Sequence, residues 1–113
     1  NDDECTKNNI LRNGPMETRF DVYSDFMNYA SGIYIRTSTI KQGGHDIKIL
    51  GWGVENGINY WICANSWGPF WGENGFFRIV NDIDPACTLQ TGISESSIAC
   101  MPDVLGFSES III

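Results

Sequence analysis

At 113 residues, the chain is long enough for one compact domain or part of a larger one. Its 42% apolar and 12% aromatic content supplies a real core, which excludes a disordered or fibrous chain. Seven Lys+Arg against fourteen Asp+Glu give a formal charge of −7 and a pI near 4.4, so a phosphate backbone is repelled and nucleic acid is not an expected partner. No apolar run approaches the ~20 residues that span a bilayer, and the opening residues carry no basic stretch followed by an apolar signal core, as expected of a processed or excised segment.

In chain order, Asp2 to Arg12 reads as a short helix with an Asp cap, stopped by Asn13-Gly14-Pro15. Met16 to Tyr23 alternates as a strand, with Met16, Phe20 and Val22 on one side and Glu17, Arg19 and Asp21 on the other. Ser24 to Tyr29 predicts one or two helical turns, and Gly32 to Arg36 a short strand. From His45 onward the pattern is β, with Glu55-Asn56-Gly57-Ile58 as a hairpin turn before a strand over Asn59 to Ser66. A glycine-rich stretch from Trp67 to Gly75 precedes the strand Phe76 to Val80. Asn81 to Gly92 reads as a loop and Ile93 to Met101 as a last extended segment, while the tail after Pro102 carries no signal.

Four cysteines, Cys5, Cys63, Cys87 and Cys100, in so short a chain suggest an oxidising compartment and disulfides, without fixing a pairing. Their spacings match no zinc pattern, and no metal or cofactor is expected. Cys63, inside Tyr60-Trp61-Ile62-Cys63-Ala64, is the one expected to stay a buried free thiol.

The single histidine concentrates any imidazole chemistry at His45. An imidazole that accepts and donates a proton needs its ring and tautomer fixed through the other nitrogen, and the amide oxygen of Asn65 does this without adding charge. A neutral orienter suits a cysteine nucleophile, whose resting state is already a thiolate facing an imidazolium. A flat hairpin turning at Asn56-Gly57 places Asn65 across from Lys48, on the wrong face for His45. One extra residue, a β-bulge near Gly51 or Gly53, moves the partner of Asn65 to Ile47 and brings His45 onto the same face. Joint work by His45 and Asn65 therefore predicts a bulge. On spacing alone, a histidine followed twenty residues later by an asparagine is more often structural.

The surrounding text changes that balance. The runs Gly43-Gly44-His45-Asp46-Ile47-Lys48-Ile49-Leu50-Gly51-Trp52-Gly53, Tyr60-Trp61-Ile62-Cys63-Ala64-Asn65-Ser66-Trp67-Gly68 and Trp71-Gly72-Glu73-Asn74-Gly75-Phe76-Phe77-Arg78-Ile79 closely resemble the carboxy-terminal half of papain-family cysteine proteases, and within them the cathepsin B group. Asn13 to Glu17, Val22 to Phe26 and Ser31 to Tyr34 are similar in order and spacing. The resemblance covers about residues 10 to 102. It implies an α+β fold over residues 1–113, namely the papain-like right-hand domain: a mostly antiparallel β-sheet or barrel with short peripheral helices.

By the same resemblance, His45 matches the catalytic histidine, Asn65 its orienting asparagine, Trp67 the indole over their hydrogen bond, and Trp71 the second tryptophan beside the leaving-group side of the cleft. Gly43 and Gly44 match positions where missing side chains admit substrate backbone. Asp46, Arg19 and Ser96 match the walls and floor of the pocket for the second residue before the cut, where the family usually has small or apolar residues, or a glutamate at the Ser96 position. Arg19 and Asp46 are expected to pair across that pocket, or to let Asp46 select a basic residue there, or both to turn to solvent. The stretch Asn81 to Thr91 is longer than the family's run, and Thr91 stands where a cysteine is expected before Gly92, so disulfides do not carry over.

The family's nucleophile belongs to an amino-terminal half, and none of the four cysteines here has its Cys-Gly-Ser/Ala-Cys-Trp-like surroundings. The resemblance thus implies a thiol peptidase whose partner is the Cys-bearing half or light chain. Its substrates would be peptides or proteins, in a lysosomal, vacuolar or secreted setting, and this chain alone would be inactive. The competing expectations are a non-catalytic pseudo-protease and a self-sufficient binding module.

Overall fold

Alternation of apolar and polar side chains assembles one sheet, and the computed structural model describes it over residues 3–93. Strand β1 (Met16–Tyr23) buries Met16, Thr18, Phe20 and Val22 and turns Glu17, Arg19 and Asp21 outward. It pairs antiparallel with β3 (Lys41–Glu55), which buries His45, Ile47 and Ile49 and leaves Asp46, Lys48 and Leu50 outside. That strand begins before His45, because Gly43 and Gly44 already pair with Val22 and Asp21. At Asn56-Gly57 both residues adopt positive φ, 53° and 79°, and the chain reverses into β4 (Ile58–Ala64). Strand β5 (Phe76–Val80) then pairs antiparallel with β4.

The strand expected over Gly32 to Arg36 contracts to β2 (Ile33–Tyr34), parallel to β5. Just beyond the expected strand the backbone turns to a side chain. Asp25 Oδ2 accepts from Thr37 N at 2.8 Å and Ser38 N at 3.3 Å, while Arg36 lies 3.3 Å over the Tyr23 ring. The sheet order is β1-β3-β4-β5-β2. Helix α1 (Asp3–Asn13) packs Thr6 and Ile10, one turn apart, toward the sheet and ends with Gly14 N donating to Ile10 O at 2.9 Å. Asp3 and Glu4 in its first turn and Arg12 in its last complement the helix dipole. The expected turns at Ser24 to Tyr29 form a 3-10 helix, Ser24–Asn28.

Phe26 of that 3-10 helix is wholly buried at the centre of an aromatic cluster. Phe77, Trp71, Phe20, Tyr34 and Trp67 surround it at centroid distances of 4.9 to 5.5 Å, mostly edge-on. Each buried ring of this kind contributes roughly 1.5–3 kcal/mol by leaving water, with a further ~0.5–1.5 kcal/mol for edge-to-face geometry.

The loop after β5 is held by two aspartates. Asp82 accepts from Gly92 N at 3.1 Å and Thr91 N at 3.4 Å, and Asp84 accepts from Asn59 N at 2.7 Å and Ala86 N at 2.9 Å. Cys5 is disulfide-bonded, whereas Cys63 and Cys87 are free, the former fully buried as expected. The cap at Asp2, the extended segment beyond Ile93, Ser96, Cys100 and the tail lie outside the described residues.

Candidate active site

The hairpin β3–β4 is not regular. From Glu55↔Ile58 to Gly51↔Ile62 the pairs keep one register, and beyond the unpaired Leu50 they continue as Ile49↔Cys63 and Lys48↔Ala64. Leu50 is the extra residue of a bulge beside Gly51. It moves the chain after β4 by one place, so that Asn65 reaches the face of β3 that carries His45.

There, His45 Nε2 and Asn65 Oδ1 are 2.7 Å apart. The same oxygen accepts from Ser66 N at 2.7 Å. A backbone N–H can only donate, so the atom it meets is the amide oxygen, and the neutral imidazole carries its hydrogen on Nε2. That leaves Nδ1 as the proton-accepting nitrogen. His45 is only 3% exposed, and Nδ1 is buried with no hydrogen-bond partner; Asn65 Nδ2 is likewise unpartnered. A buried polar atom left without a partner costs about 1–3 kcal/mol.

Trp67 stacks on the imidazole, ring centroids 5.0 Å apart and planes 24° apart, while Phe20, the cross-strand partner of His45 on β1, lies at 6.2 Å. Trp71 packs at 5.1 Å against Trp67 and donates from Nε1 to Met27 O at 3.3 Å. Gly72 between Trp71 and Glu73 has φ 60°, and a Cβ there would sit 2.7 Å from Phe76 O, so this turn requires glycine. Glu73 then accepts from Gly32 N at 2.9 Å and from Arg78 at 3.0 and 3.2 Å, tying the turn to the segment before β2. Sequence reasoning missed this brace and the Phe20 and Ser66 contacts. Glu73 and Arg78, five residues apart across a glycine turn, were the available signal.

Arg19 and Asp46 face each other across β1 and β3, Arg19 Nε to Asp46 Oδ1 being 3.1 Å, with Asp46 half exposed and Arg19 mostly covered. Of the expectations for this pair, the ion pair is the arrangement present, formed between cross-strand neighbours. A cavity of about 240 Å³ opens beside Asp46, Lys48, Asn65 and Ser66. Gly43 and Gly44 are buried immediately before His45. The two free thiols are elsewhere: burial pushes Cys63 well above an ordinary thiol, and burial with the nearby Asp82 carboxylate pushes Cys87 up to about 11. Among the described residues no group of three or more His, Cys, Asp or Glu is placed to hold a metal.

The family description papain family cysteine protease matches residues 1–97. The chain belongs to the papain family of cysteine proteases. It is 46% identical over 101 residues to cathepsin B-like cysteine proteinase 5 of Caenorhabditis elegans, covering 89% of this chain and 28% of that protein. It is 50% identical over 84 residues to a gut-specific cysteine proteinase of the same organism, covering 74% of the chain and 25% of the relative. Among solved structures, procathepsin B S9 from Trypanosoma congolense superposes with a TM-score of 0.67 at 38% identity, over 70% of this chain and 28% of that one. Bromelain from Ananas comosus in complex with the E64 inhibitor superposes with a TM-score of 0.68 at 28% identity, over 85% and 44%. The chain thus spans about a quarter of the curated papain-family relatives, and its α+β architecture is papain-like.

Proposed function

We propose that this chain supplies the histidine and asparagine of a cathepsin B-type cysteine peptidase whose nucleophilic cysteine lies on an amino-terminal half outside the chain. One observation carries the reading: a buried imidazole whose Nε2 is held by Asn65 and whose Nδ1 is buried and unpartnered. Neither free thiol of the described residues suits the nucleophile, since Cys63 is fully buried and Cys87 is held protonated beside Asp82. On this reading the chain alone is inactive.

In the assembled enzyme, a thiolate beside Nδ1 pairs with the imidazolium and attacks the scissile carbonyl. His45 gives its Nδ1 proton to the leaving amine, and the acyl group stays on sulfur. Water then loses a proton to Nδ1 as it attacks the thioester, releasing the acid and restoring the thiolate. Asn65 keeps the ring oriented throughout, and Trp67 shields the hydrogen bond from water. Trp71 braces Trp67, while Gly43 and Gly44 admit substrate backbone. Arg19 and Asp46, with Ser96 as floor, shape the pocket for the second residue before the cut, and their ion pair narrows it. Substrates are peptides or proteins, and the acidic chain fits a lysosomal, vacuolar or secreted compartment.

The ion pair in the pocket is also what favours a second reading, a pseudo-protease retained for binding. Treating native source material with a thiol-reactive epoxide and mapping the label by mass spectrometry separates the two. A labelled cysteine on a co-purifying amino-terminal half is the expected result; a folded partner that takes no label establishes the pseudo-protease.

A further inference from the structure

The imidazole divides its surroundings into two unlike flanks. On one side lie the Asp46–Arg19 ion pair and the cavity beside Asn65, whose lining includes Glu17, Lys48 and Ser66 together with Ile47 and Ala64. On the other, Trp67 covers the ring and the chain continues through Gly68-Pro69-Phe70-Trp71, a turn closed by Trp71 N donating to Gly68 O at 3.4 Å. Pro69 pre-sets the first central position of this turn, and Phe70 occupies the second. Both ends are braced: Gly75 N donates to Trp71 O at 2.7 Å, and Asn65 N donates to Gly75 O at 3.0 Å. On this braced turn Phe70 is completely exposed, at 101% of its reference surface, and lies in the chain between the half-buried Trp67 and Trp71.

A wholly exposed phenyl carried on a braced turn, three residues after the indole that stacks on His45 and one before Trp71, offers an apolar contact whose backbone is already in place. A peptide lying across His45 places one side of its scissile bond toward Asp46 and the other toward Trp67. We infer that Phe70 is a specificity-determining residue that selects an apolar side chain on the leaving-group side of the cut. This rests on the peptidase reading above, in which the Asp46 side receives the residues before the cut.

The test uses the complete two-domain enzyme, unmodified and as Phe70→Ala and Phe70→Leu. Two peptides that differ only in leucine or serine after the cut are compared with one that carries glycine there. The unmodified enzyme and Phe70→Leu should prefer the leucine peptide in kcat/KM, and Phe70→Ala should reduce that preference roughly five- to tenfold while changing the glycine peptide less than about twofold. An unchanged preference in Phe70→Ala with intact turnover of the glycine peptide overturns the inference. So does an equal loss on all three substrates, which would assign Phe70 to contact with the other half of the enzyme. If the unmodified enzyme cleaves none of them, the peptidase reading itself falls.

Discussion

Trp67 lies over His45 with ring planes only 24° apart and centroids 5.0 Å apart, and Nε2 of the covered ring is 2.7 Å from Asn65 Oδ1. Water at that position would compete for Nε2 and for the amide oxygen. Removing the cover in Trp67→Ala should weaken the bond by about 1 kcal/mol and lower kcat of the complete enzyme roughly five- to tenfold, with Trp67→Phe recovering most of it. Asn65→Ala, which removes the orienting oxygen altogether, should cost more. Steady-state kinetics of the three variants gives the order.

Leu50 occupies the extra place in β3, and its deletion makes the hairpin regular. The chain must then either slide His45, Ile47 and Ile49 onto the outer face or draw Asn65 to the wrong face. We expect loss of cooperative melting in the first case and loss of activity with a near-native melt in the second. A deletion variant that melts normally and keeps full activity would contradict the role given to the bulge. Leu50→Ala, which keeps the place and removes only a half-exposed side chain, should be nearly silent.

Two carboxylates set the acid limit of the fold. The Arg78 guanidinium and the Gly32 amide hold Glu73 below the usual carboxylate range, against its partial burial. Burial pushes Asp25 upward, but donation from Thr37, Tyr34 and Ser38 outweighs it and leaves Asp25 lowered as well. Groups with depressed folded values stabilise fully above their unfolded values of about 4, and that contribution fades as pH falls through the folded values. Melting temperature should therefore be flat from neutral pH to about 5 and fall below about 4. Glu73→Gln should flatten that fall and lower the plateau, which a series of melts in low-salt buffers would measure.

The thiols of the described residues should be poor nucleophiles. With Cys87 pushed up to about 11 beside Asp82 and Cys63 enclosed beneath the sheet, the native chain should take no iodoacetamide on either at pH 7.5, and both should react after denaturation. Rapid native labelling of Cys87 would show that its hydrogen bond to Asp82 does not hold. Any epoxide label in the whole enzyme would then map to another cysteine.

Much of this was legible because its causes are local. Period-two alternation places β1 and the inner face of β3, and Asn56-Gly57 fixes the turn. The face of His45 relative to Asn65 requires an inserted residue, so the need for a bulge and its place near Gly51 could be read, while the choice of Leu50 as the extra residue could not. The ion pair of Arg19 with Asp46 follows from their register once β1 is laid against β3. What stayed hidden depends on distant side chains capturing backbone amides: Asp25 takes those of Thr37 and Ser38 beyond β2, and Glu73 reaches back forty-one positions to Gly32. No periodicity records such contacts.

Strands β1 and β2 are neighbours in the chain yet sit at opposite edges of the sheet. The central three, β3 to β5, form a simple meander that contains both His45 and the residue it needs, only twenty positions apart. Loop-closure entropy for that pair is small, whereas β2 has no edge to join until β5 exists. The order of assembly follows: the meander can align the imidazole and its amide first, and the segment through Phe26 then spans the sheet from one border to the other and locks the finished site from behind.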